Sequence, residues 1–100
     1  MKLGILVNTD RHLDHVLGII RAAVSKNHQV MVFAMDEGIH LFGDPSFSDL
    51  AGADNVSMSI CRHSAERLEI ETENLAEEIT AGSQFENALM AHDADRMIVL

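Results

Sequence analysis

The residues of this chain with the plainest chemical potential stand together at Cys61-Arg62-His63-Ser64. Cys61 is the only cysteine. It follows Val56-Ser57-Met58-Ser59-Ile60, where apolar and polar residues alternate as in a half-buried strand. It precedes Ser64-Ala65-Glu66-Arg67-Leu68, which reads as the opening of a helix. A thiol between a strand's end and a helix's start meets free backbone N–H groups and the positive end of the helix dipole, and both favour the nucleophilic thiolate. Arg62 and His63 add positive charge, and His63 is a candidate proton carrier. The indicated chemistry is nucleophilic or sulfur-accepting. The competing reading is a packed, inert thiol, since cysteine is among the most buried residue types. With no second cysteine, any exchange must pass to a partner molecule.

Other polar residues fall where strands end. Asn8-Thr9-Asp10 and Asp36-Glu37 each follow an apolar run. The C-terminal edge of an open parallel sheet is where ligands bind, so Asn8, Asp10, Asp36 and Glu37 are candidate ligand-binding residues. Carboxylates close to Cys61 would oppose its ionisation. His12 and His15 stand three apart, as do His92 and Asp95, a helical spacing compatible with metal ligands. In a His-rich acidic chain such pairs are more often a solvated helix face, and no metal or cofactor is expected. No Gly-rich phosphate loop follows the first strand, and neither Gly-x-Ser-x-Gly nor His-Glu-x-x-His occurs.

The elements that must position these residues are legible from periodicity. Leu3-Gly4-Ile5-Leu6-Val7 and Gln29 to Met35 are continuous apolar runs, as in strands buried on both faces. Between them Leu13, Val16, Leu17, Ile20, Ala23 and Val24 recur at helical spacing, which predicts a helix over 11–26, capped by Thr9 or Asp10 and stopped by Asn27. Gly38 to Phe42 predicts a short helix and Gly43-Asp44-Pro45-Ser46 a turn. Phe47 to Ala53 predicts one or two helical turns leading to the third strand, Val56 to Ile60. Phe42, Phe47 and Leu50 belong either to the core or to a subunit contact. After Cys61 a helix of about two turns is expected, followed by an acidic face over 69–78 with Thr72 as a cap. Ser83 and Glu86 have capping-box spacing, and Phe85, Ala88 and Leu89 are expected to face the core. Arg96 to Leu100 reads as the fourth strand. The alternation predicts an α/β fold: a three-layer α/β/α sandwich around a mainly parallel four-stranded sheet, in the order 3-2-1-4 or 2-1-3-4.

One hundred residues fit a single domain over 1–100, and 47% apolar residues supply a core made mostly of aliphatic and Met side chains, for Trp and Tyr are absent. Sixteen acidic residues against seven basic give a charge of −9, which repels phosphate backbones and argues against nucleic acid as a partner. A single cysteine argues against a disulfide-stapled secreted domain. No run approaches the ~20 apolar residues of a membrane span, so no membrane partner is expected and the cytoplasm is the expected compartment.

Four stretches together resemble the DsrE/DsrF-like family, which includes sulfur-relay proteins. They are Lys2 to Asn8; Val32-Phe33-Ala34-Met35-Asp36-Glu37-Gly38-Ile39; Ile60-Cys61-Arg62-His63-Ser64-Ala65-Glu66-Arg67; and Ala81-Gly82-Ser83 through Ala94-Asp95-Arg96-Met97-Ile98-Val99. The resemblance implies a cytoplasmic three-layer fold with the order 3-2-1-4, assembled as homotrimers or hexamers. It also places Cys61 where active members carry a persulfide between donor and acceptor proteins. The function so implied is a sulfur carrier or sulfurtransferase-type relay acting through Cys61; from their own charge and chemistry, Arg62 with the helix N-terminus is expected to stabilise the anion and His63 to move a proton. A non-catalytic homo-oligomeric module binding a ligand or protein is the alternative.

Overall fold

The computed structural model describes residues 1–100. Its five strands are β1 (Lys2–Val7), β2 (Gln29–Ala34), β3 (Val56–Cys61), β4 (Ile79–Gly82) and β5 (Arg96–Val99). They form one sheet in the order β4-β3-β2-β1-β5, parallel at every pairing. The helices are α1 (Leu13–Ser25), α2 (Pro45–Ser48), α3 (Arg62–Arg67) and α4 (Gln84–Asp93), with 3₁₀ turns at Asp36–Gly43, Asp49–Gly52 and Thr72–Asn74. The strands expected from sequence take the order 3-2-1-4, and the α/β class stands. The count of four strands does not: β4 extends the sheet beyond β3.

The two faces of the sheet are covered unequally. On the first face Leu3, Ile5 and Val7 of β1 line up with Val30, Val32 and Ala34 of β2, and beyond them with Met58 and Ile60 of β3. These join Val16, Leu17 and Ile20 of α1, Ala65 of α3, and Ile39, Leu41, Phe42 and Phe47 in one core of 19 buried residues. Phe42 and Phe47 meet edge to face at 4.8 Å inside it, so they are core residues. On the second face the buried cluster holds only Phe33, Cys61 and Met90, and α4 is its only helical cover. Three successive crossovers run outward from β1 to β4 along the first face. The return to β5, on β1's far side, must use the other face if it is to keep the same right hand. That return is α4. It begins beside the end of β3, where Cys61 lies, and ends at β5, where the Lys2 N–H donates to Asp95 Oδ2 at 2.7 Å and the Asp95 N–H to the Lys2 carbonyl at 2.7 Å.

Three local expectations are corrected. Neither Thr9 nor Asp10 caps α1: His12 holds the N-cap position without a side-chain bond, and Thr9 Oγ1 instead accepts from the Arg11 N–H at 3.4 Å in a local turn. Asn27 does adopt the left-handed conformation expected of a stop, φ 64°. Thr72 starts a single 3₁₀ turn with Glu71 in the cap position, so it caps nothing. Phe85, Ala88 and Leu89 face outward, Phe85 being 65% and Leu89 46% exposed, and the buried residue of α4 is Met90. A Cβ at Gly4 would collide with the Met97 sulfur and press on Met90 and Ala94, so the missing side chain lets α4 approach β1 with Met90 innermost.

Candidate functional site

β3 delivers Cys61 to the second face of the sheet at its C-terminal edge. Its register partner there is Gly82, the last residue of β4. Two residues past Gly82, α4 starts, and its first turn is fixed by a complete capping box. The Phe85 N–H donates to Ser83 Oγ at 3.1 Å, and the Ser83 N–H donates to the Glu86 carboxylate at 2.6 Å. A Cβ at Gly82 would run into that same carboxylate, so glycine is what lets Glu86 fold back over the strand end. The box holds the Glu86 carboxyl below its ordinary pKa, chiefly through the Ser83 N–H.

The strand end, the start of α3 and the start of α4 enclose an open cleft of about 780 Å³. Cys61 lies in its wall, 5% exposed, and shares the lining with Met35, Asp36, Ser64 and Gln84 and with Arg62, His63, Glu66 and Glu86. Cys61 is also the N-cap residue of α3. As a neutral thiol it makes no cap bond, because sulfur is a weak acceptor. Burial pushes its pKa up. The Ser64 hydroxyl and N–H, the Gln84 amide and the His63 N–H pull it down, and together they prevail, leaving Cys61 below the ordinary thiol value.

The sequence candidates divide. Cys61, Arg62, His63 and Asp36 share the cleft. Arg62 donates one guanidinium N–H to the Ala81 carbonyl of β4, at 3.0 Å, tying the helix start to the edge strand. His63 reaches the sulfur through its backbone N–H. Glu37 stays just outside the cleft lining, and Arg67 spans the acidic turn, at 3.3 Å from Asp36 and 3.7 Å from Glu37. That pairing offsets the negative charge which would otherwise oppose the thiolate. Asp36 itself is left-handed, φ 49°, and the turn needs Gly38 two residues on, where any Cβ would strike the Val7 carbonyl. Asn8 and Asp10 lie at the end of β1, away from the cleft; the Asn8 N–H is bonded to the Leu100 carbonyl at 3.1 Å. The cleft forms where α4 begins rather than beside β1. Sequence alone marks Ser64 only as a neighbour of Cys61 and assigns it no role, and it does not single out Gln84. Ser64 was detectable as the third residue of the helix after Cys61, and Gln84 as the first residue after the Ser83 cap.

No group of three or more His, Cys, Asp or Glu side chains is arranged to hold a metal ion. His12, the N-cap of α1, and His15 within it stack edge to face at 6.0 Å, while His92 belongs to α4 on the opposite face of the sheet. No helix is long and apolar enough to cross a membrane.

The sequence model of the DsrE/DsrF-like family matches residues 1–100. Among solved structures, the YchN protein from E. coli superposes with a TM-score of 0.82 at 18% identity, over 100% of this chain and 99% of that one. The protein of unknown function MTH1491 from Methanobacterium thermoautotrophicum superposes with a TM-score of 0.80 at 13% identity, over 99% and 98%. At such identities the likeness concerns the fold. No curated protein sequence matches the chain.

Proposed function

The chain belongs to the DsrE/DsrF-like family, and from that premise we propose that it is a sulfur carrier, taking sulfane sulfur onto Cys61 and passing it to a partner. The observation that carries this reading is the thiol's setting: one cysteine, in the wall of an open cleft, ringed by hydrogen-bond donors that favour its anion. The Cys61 thiolate attacks the outer sulfur of a donor persulfide. The S–S bond of the donor breaks, its thiolate leaves with the electron pair, and Cys61 carries the persulfide. An acceptor thiolate then attacks the outer sulfur, and Cys61 thiolate is the leaving group. Neither step needs an oxidant or a reductant, and a lowered thiol pKa helps Cys61 leave in the second. In this reading His63, which lines the cleft, exchanges a proton with the departing thiolate, and Arg62 also ties the helix start to β4. The donor and acceptor are proteins or small thiols that reach into the cleft. We place this chemistry in the cytoplasm, where free thiols persist.

Self-association as a homotrimer or hexamer is part of the same proposal. Phe85, Leu89, Met97 and Val99 leave apolar surface open on α4 and β5, and Met97 and Val99 stand in register with Gly4 and Leu6 on the thinly covered face. The experiment is intact mass after incubation with a small-molecule persulfide donor. One added sulfur, located on Cys61 and absent from Cys61→Ser, is the expected result; a Cys61 that stays unmodified overturns it. A second reading, a binding module in which Cys61 only packs, draws on the thiol's 5% exposure. It expects Cys61→Ser to retain every function of the protein.

A further inference from the structure

Helix α4 packs on β1 and β2, and it leaves the second face of β3 and β4 without a helical cover. Alternate residues of a strand share a face, so Ser57 and Ser59 stand there in line with Cys61. Thr80 of β4 pairs with Ser59, and Gly82 with Cys61. This floor and the flank of α4 that carries Glu86, Leu89 and Asp93 form a groove of about 220 Å³. Glu86 lines the Cys61 cleft as well, so the groove leads into it. At ~3.3 Å per residue the floor from Ser57 to Cys61 is ~13 Å long, the reach of about four extended residues. Met97 and Val99 lie on β5, across α4 from this floor, so a segment here and a subunit contact there use opposite flanks of the helix.

The lining of the groove selects its occupant. Its charged residues are Glu86 and Asp93, both acidic, and neither is ion-paired, for the ion pairs of the chain both belong to Arg67. The Ser83 N–H keeps Glu86 ionised. Asp93 ends α4, where the negative end of the helix dipole adds to its charge. Between the two, Leu89 is 46% exposed and offers an apolar contact. The exposed hydroxyls of Ser57 and Thr80 can bond a peptide backbone. We propose that this groove receives an extended, basic, cysteine-bearing segment of the protein that exchanges sulfur with Cys61, its lysine or arginine side chains lying against Glu86 and Asp93. The inference rests on the sulfur-carrier reading and names the partner that reading needs: a cationic protein segment rather than a small anionic thiol.

The test uses short blocked peptides in which valine alternates with lysine after a terminal cysteine, in both chain directions, and the same peptides with glutamate for lysine. With the cysteine activated as a thiopyridyl disulfide, the rate of Cys61 coupling is read from the thiopyridone released. With serine in place of cysteine, the same peptides are titrated into isotopically labelled protein and amide NMR shifts are followed. The better lysine peptide should couple about tenfold faster than its glutamate counterpart at low salt. The ratio should fall towards one in ~1 M salt. Asp93→Asn removes an acid from a helix C-terminus, so it does not weaken the helix. It should lower the ratio several-fold and leave coupling to neutral dithiodipyridine unchanged. The serine form of the lysine peptide should shift the amides of Ser57, Ser59 and Thr80. Equal rates for the two peptides, a preference that Asp93→Asn leaves untouched, or no shifts at those three residues overturn the groove, even if Cys61 loads sulfur. Shifts at the groove on a protein whose Cys61 takes no sulfur would instead overturn the sulfur-carrier reading and leave the groove as a site for basic peptide.

Discussion

Truncating Met90 to alanine should loosen the whole second layer of the fold. Met90 is the buried residue of α4, and it shares its cluster with only Phe33 and Cys61. Truncating a buried Met to Ala removes transfer free energy and leaves a cavity, together about 2–5 kcal/mol. The low end applies here, because the cluster is small and solvent from the open face can enter the hole, so about 2–3 kcal/mol is expected. For a domain of this size each kcal/mol moves Tm by about 4–8 °C, giving a fall of roughly 10–20 °C. Met90→Leu keeps the volume and should lose less than about 1.5 kcal/mol. Denaturant melts at one fixed protein concentration measure the stability, since self-association would couple to it. Cys61 alkylation should also report the loosening, for Met90 packs in one cluster with Cys61 and the start of α4 lines its cleft. A Met90→Ala protein within about 0.5 kcal/mol of wild type, the range of an ordinary surface substitution, would refute the claim that this single side chain docks the helix.

Gly38→Ala drives a Cβ into the Val7 carbonyl, and overpacking against backbone should destabilise by about 1–3 kcal/mol and displace the Asp36–Glu37 turn; a neutral melt refutes it. The Cys61 pKa is depressed in the folded state, so its contribution to stability is absent at low pH, grows as pH rises through the folded pKa, and is complete above the unfolded thiol's value of about 8.5. The stability gap between wild type and Cys61→Ser should therefore widen as pH rises towards the unfolded thiol's pKa and level off above it, and a gap independent of pH contradicts the donor arrangement. Val99→Glu puts a charge on the open apolar strip of β5, and sedimentation should show a smaller species than wild type; an unchanged mass places the proposed subunit contact elsewhere.

Much of this fold was legible because its central strands announce themselves. β1 and β2 are apolar on both faces, as strands inside a parallel sheet must be, and α1 repeats its buried residues at helical spacing. β4 was not legible. It has four residues, one of them buried, it ends in glycine, and it follows an acidic run, so no periodicity marks it. Only its pairing with Met58 to Cys61 of β3 makes it a strand. The start of α4 was readable from Ser83 and Glu86, whereas its rotation was not. Phe85, Ala88, Leu89, Met90 and Ala91 spread apolar character over more than one face, and the choice among them was made by Gly4 on another strand. The site divides in the same way. Cys61 and its helix start could be read from neighbouring residues. Gln84 and Met35, which line the cleft with Cys61, are 23 and 26 residues away in sequence and come near it only through the sheet order.

The most direct measurement loads Cys61 with isotopically labelled sulfane sulfur, removes the donor, adds an acceptor thiol and follows the label. The label should leave Cys61 and appear on the acceptor in equal amount, with the Cys61 thiol regenerated and no transfer from Cys61→Ser. Label that never enters Cys61, or enters and cannot be taken by any thiol, would contradict it.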